Sequence, residues 1–104
     1  MEILDLSKKG KFDPSRFHME ILHDMYSFRL ILFSFEPGQE LPVHQHEADS
    51  EVAILVLEGE GFFTGGEREI PATRGSLLIS KVSEPHGVKA SSRMRVLVTI
   101  APPI

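Results

Sequence analysis

Residues 44–61 read HQHEADSEVAILVLEGEG, and the fold is decided by how this stretch is read. Its apolar run VAILVL, residues 52–57, has the length of one strand and is followed by Glu58 and Gly59, the ordinary punctuation of a β-hairpin protein. Just before it stand two histidines, two positions apart. On an extended strand alternate side chains share a face, so His44 and His46 point the same way.

The same reading extends outward in both directions. FRLILFSF (28–35), GFFTG (61–65), GSLLIS (75–80) and MRVLVTI (94–100) are further short runs of β-branched, leucine and phenylalanine residues between turn formers. Their spacing predicts an all-β sandwich or barrel. In the last run Met94, Val96, Val98 and Ile100 share one face and are expected in the core, with Arg95, Leu97 and Thr99 on the other. Phe28, Phe33, Phe35, Phe62 and Phe63 suit core or subunit contact better than a ligand-stacking platform. EPGQELP (36–42) marks a sharp reversal, and TGGE (64–67) predicts a type I′ hairpin with glycine at both centres. ATRGS (72–76) and VSEPHG (82–87) are expected to close later hairpins. In the first 26 residues EILDL is a candidate edge strand, and RFHMEILHDMY fits a long strand, a bent strand or a turn of helix. The terminal APPI cannot continue a central strand, because each proline removes a ladder donor.

Composition narrows the function classes. The 104 residues suit one domain spanning 1–104. Eleven Lys and Arg against 15 Asp and Glu give a formal charge of −4, and the cations are scattered, which argues against nucleic acid as a partner. Among Arg29, Arg68, Arg74, Arg93 and Arg95, nothing in the pattern selects one for an anion. No apolar run approaches the roughly 18 residues of a membrane helix, and the N-terminus does not read as a secretory signal. A cytoplasmic location and no membrane partner are therefore expected. Cysteine is absent, so disulfides, thiolate ligands and a cysteine nucleophile are all excluded. Any metal must be held by nitrogen and oxygen. His86, just after a proline-marked turn, is the best third partner for His44 and His46. Glu47 and Asp49 read as solvated loop acids, and His18 and His23 as surface or rim residues.

Gly38, His44, His46, Glu51 and Gly59 stand at spacings that resemble the first cupin motif, G-x5-HxH-x(3,4)-E-x6-G. Gly75 and His86 keep the glycine-to-histidine distance of the second, with Lys81, Ser83 and Ala90 where that motif has proline, glycine and asparagine. The motifs occupy 38–59 and 75–90, joined through VLEGEG at 56–61. The resemblance implies a double-stranded β-helix, a jelly-roll-like barrel of two antiparallel sheets, and a homodimer. It also implies a divalent transition metal (Fe, Mn, Ni, Zn, Co or Cu) on His44, His46, Glu51 and His86, with open positions for a small-molecule ligand or substrate. Counted forward from His46, Glu51 takes the carboxylate position. Counted back from Gly59, Val52 does, unless a β-bulge absorbs one residue. Such a site suits a metal-dependent enzyme of oxygenase or isomerase type acting on a small polar metabolite. Two alternatives stay open: a non-catalytic binding or sensing module, and a metal-free relative with a decayed pocket.

Overall fold

A computed structural model describes residues 1–104. The chain forms nine strands, β1 (His18–Asp24), β2 (Arg29–Phe35), β3 (Glu40–His44), β4 (Glu51–Glu58), β5 (Glu60–Thr64), β6 (Ile70–Thr73), β7 (Leu77–Lys81), β8 (His86–Ala90) and β9 (Met94–Ala101), preceded by a 3-10 turn at Leu6–Lys8. They pair into a five-stranded sheet in the order β1-β2-β9-β4-β7 and a four-stranded sheet in the order β3-β8-β5-β6, and every pairing is antiparallel. This is the expected all-β architecture of two antiparallel sheets.

The inner faces follow from alternation. Val52, Ile54 and Val56 of β4, Met94, Val96 and Val98 of β9, and Phe33 and Phe35 of β2 are buried in one core. Val88 and Ala90 of β8, Phe63 of β5 and Ala72 of β6 close it from the smaller sheet. Phe28, by contrast, lies at the surface, stacked on His23 with ring centres 4.5 Å apart.

Several turns differ from expectation. The β5–β6 hairpin has a five-residue loop, 65–69, rather than a two-residue turn, and of its two glycines only Gly65 has positive φ. ATRGS and VSEPHG do not close hairpins: the chain passes between sheets there, from β6 to β7 and from β7 to β8. EILDL forms no strand. Two strands overlap segments read as turns, β3 with Pro42 and β6 with Pro71, and both are edges of the smaller sheet, where a missing ladder donor faces outward at no cost.

The N-terminal segment lies over the larger sheet. Asp5 caps the 3-10 turn by accepting from the Ser7 amide, and Arg95 Nη2 donates to the carbonyls of Leu6 and Lys9.

Candidate functional site

His44 closes β3 and His86 opens β8, and the two are direct cross-strand partners. Their rings lie 4.4 Å apart, a contact built into the sheet by register. His46 is placed differently from the strand reading, since β3 ends at His44 and His46 lies in the following loop. That loop is tied down by its backbone: the His46 amide donates to the Val82 carbonyl at 2.8 Å, and the Val82 amide to the Ser50 carbonyl at 3.0 Å. The His46 ring thereby stands edge-on to His44, 5.3 Å away. Imidazoles from one strand pair and the loop that follows it meet at one end of the barrel.

Two of the three rings have their tautomer fixed. His44 Nδ1 donates to the Pro42 carbonyl at 2.8 Å, and His86 Nδ1 to the Glu84 carbonyl at 2.7 Å. A carbonyl can only accept, so Nδ1 carries the proton and Nε2 keeps its lone pair, the arrangement typical of metal-binding histidines. His86 is buried, 4% exposed. Burial holds its pKa below the ordinary histidine value; the Glu84 carbonyl pulls the other way, and the neighbouring His44 and His46 add to the lowering. The ring is therefore neutral, with a free lone pair, at neutral pH.

Glu51 does not join them. From Val52 to Val56 the inward alternation of β4 is unbroken, so Val52 lines the cavity and Glu51 sits exposed on the other face, opposite Lys81 and Ala101. The strand does contain a bulge, between Val56 and Glu58. It lies at the far end of β4 and cannot turn Glu51 inward. The expected fourth ligand is replaced by a valine. No set of three or more His, Asp or Glu side chains is grouped as a ready metal-binding cluster.

The histidines border a cavity of about 110 Å³, walled mainly by apolar side chains of the larger sheet, Ile31, Phe33, Val52, Ile54, Val98 and Ile100. Alternation in β9 marks its part of this wall as inward-facing, but nothing in the sequence separates cavity lining from core. Ile104 also lines the space, from the chain's last position. That segment is held by Ser50 Oγ donating to the Pro102 carbonyl at 2.7 Å.

Imidazole nitrogen suits a borderline transition metal by its chemistry, although the three rings are not gathered into a ready cluster. Fixed Nε2 lone pairs on His44 and His86, with His46 beside them, are the right chemistry for such an ion. The absent carboxylate leaves a neutral, three-nitrogen set.

Comparison with known proteins agrees with the fold. The Cupin domain profile matches residues 31–100. Auxin-binding protein 1 of Arabidopsis thaliana is 30% identical over 116 residues, covering 98% of this chain and 59% of that protein; the chain spans about half the length of the curated relatives it matches. A crystal structure of an RmlC-like cupin protein from Desulfovibrio desulfuricans superposes with a TM-score of 0.95 at 50% identity, covering 100% of this chain and 99% of that one. TT1209 from Thermus thermophilus superposes at 0.88 with 31% identity, covering 98% of each. With the profile matched across most of the barrel and the same two sheets in solved relatives, this chain belongs to the cupin superfamily.

Proposed function

We propose that this cupin holds a divalent transition metal on His44, His46 and His86 and takes a small molecule into the adjoining cavity. The observation that carries the reading is the pair of fixed tautomers, which leave two Nε2 lone pairs at the mouth of an apolar space. Bound there, the metal would supply Lewis-acid polarisation of a ligand oxygen, or dioxygen activation if it is iron. The chain's own residues do the rest. The apolar wall excludes water and binds an apolar body, and the small volume limits that body to a few heavy atoms or one ring. A ligand with one oxygen-bearing end and an apolar remainder fits better than the polar metabolite expected from the sequence.

The same wall favours a second reading, a binding or sensing module without turnover. Apart from the imidazoles, no side chain that lines the cavity can serve as general acid or base. A related protein named for binding auxin is consistent with this.

The outer face of the larger sheet supports a homodimer. Leu77, Leu55, Leu97 and Leu32 form a cross-strand row over β7, β4, β9 and β2. Only the Leu32 end is buried beneath the chain's own N-terminal segment, and Ile79, beside Leu77, is 67% exposed. A second copy on this face would cover the rest. We place the protein in the cytoplasm, where a cysteine-free, metal-binding domain has no need of oxidising conditions.

The test is metal content. Tag-free protein incubated with Fe, Mn, Co, Ni, Cu or Zn salts and desalted is expected to retain close to one equivalent of one of them; less than about a tenth of an equivalent would leave only the metal-free reading. Oxygen uptake and ligand consumption then divide enzyme from binder. A compound that raises Tm and is never consumed favours binding.

A further inference from the structure

The opposite face of the larger sheet carries a second polar feature, unconnected with the histidine cavity. His18 of β1 pairs with Ser34 of β2, Ser34 with Arg95 of β9, and Arg95 with Glu58 of β4. Directly opposed residues share a face, so these four side chains form one row across four strands. Their chain neighbours Phe33, Phe35, Met94 and Val96 fill the core, which puts the row on the outside. The N-terminal segment roofs it, and between roof and sheet lies a cavity of about 220 Å³ with a single apolar lining residue, Phe12.

Two polar atoms of the row, on directly paired residues, have no partner. Ser34 is 1% exposed, lines this cavity, and its hydroxyl makes no hydrogen bond. Nδ1 of its cross-strand partner His18 is also buried and unpaired. Such orphans are destabilising when buried, so two on paired residues call for a hydrogen-bonding occupant. The charge of the walls says which kind. Lys9, Lys11 and Arg95 line the cavity with one carboxylate, Glu58; Lys9 is also 3.9 Å from Glu20, so Lys11 is the cation left without an ion pair. Lys11 also borders the neighbouring hollow beside His18. Arg95 commits Nη2 to the Leu6 and Lys9 carbonyls, and its Nε lies 3.6 Å from Glu58. A water molecule would satisfy the Ser34 hydroxyl and leave Lys11 without a counter-charge.

We propose that this cavity is a binding site for a small oxyanion, a phosphate or carboxylate group. It would accept from Ser34 Oγ and lie in the field of Lys11, with the His18 ring in the adjoining hollow that Lys11 also borders. Its volume suits the anion itself or a few-atom molecule bearing it. The site is on the opposite side of the sheet from the metal ligands and does not depend on them.

The experiment is a two-dimensional amide NMR titration of the full chain with inorganic phosphate and, separately, malonate, at constant ionic strength. Shifts at residues 9–11, 18, 34 and 95 are expected to saturate, with little change at 44–46 and 86. Lys11→Ala and Ser34→Ala should each weaken binding about tenfold, the loss of one interaction to a charged group. Because the Ser34 hydroxyl is unpaired, Ser34→Ala should melt no lower than the parent in anion-free buffer. Tighter phosphate binding assigns a phosphorylated ligand, and tighter malonate binding a carboxylate. Shifts that grow linearly without saturating, or that centre on residues 44–46 and 86, would overturn the proposal. So would binding indifferent to Ser34→Ala, which marks a bare basic surface.

Discussion

At His86 burial and hydrogen bonding act in opposite directions on the same ring. Burial wins, so the folded chain binds a proton there more weakly than the unfolded chain does. The sign of the pH dependence follows from linkage. The contribution of His86 to stability is complete above the unfolded histidine value of about 6.5 and is lost as pH falls through the lowered folded value. Chemical denaturation between pH 7.5 and 5 is expected to show the midpoint falling with pH in the parent, with a shallower fall in His86→Asn. If the ligand set proposed above is right, His86→Ala should weaken metal affinity by more than about 100-fold. His23→Ala, whose ring stacks on Phe28 outside the site, should change it less than about twofold. Competition titration with a chromophoric chelator would measure both, and equal effects would mean that the wrong histidines have been chosen.

Within strands, register decides which residues meet the cavity. Val52 and Glu51 are neighbours in sequence and on opposite faces of β4. Glu51→Gln is therefore expected to leave metal affinity within about a factor of two, because a carboxylate pointing away from the cavity contributes only screened, long-range charge. A large loss would show that β4 can shift by one residue. The turn that ends β4 is equally constrained. Gly59 has φ of 80°, and a Cβ there would run into the Arg93 carbonyl oxygen and the backbone of Met94. Gly59→Ala should cost about 1–3 kcal/mol from conformation alone, with the clash added, read as a drop in Tm. Gly75→Ala, also at positive φ but with nothing near, should cost less and serves as the control.

Taken as a whole, the molecule is a closed wall with two differently finished faces on its larger sheet. The inner face is apolar and meets three imidazoles. The outer face is polar at one end, beneath the N-terminal segment, and leucine-rich at the other. The leucine-rich end is where a second copy of the chain would dock. Light scattering after size exclusion should give twice the chain mass of 11.6 kDa. Ile79→Lys, on edge strand β7, should shift the population to monomer by setting a charge in the covered patch. A parent protein that runs as a monomer at high micromolar concentration would remove the proposal.

Strand signals and motif spacing determined the all-β class and the histidines that come together. These are legible because alternation, backbone stereochemistry and family spacing are local properties. Strands β3 and β6 were not legible, since edge pairing tolerates prolines that local propensity reads as turns. The face of Glu51 was undecidable for a related reason: 52–57 is apolar throughout, so alternation carries no phase. Only the tertiary structure fixed it, by packing Val52, Ile54 and Val56 against the opposing sheet. The row of His18, Ser34, Arg95 and Glu58 was likewise invisible. Those residues lie far apart along the chain and become neighbours only when β1, β2, β9 and β4 pair, because cross-strand adjacency is a property of register and not of sequence distance.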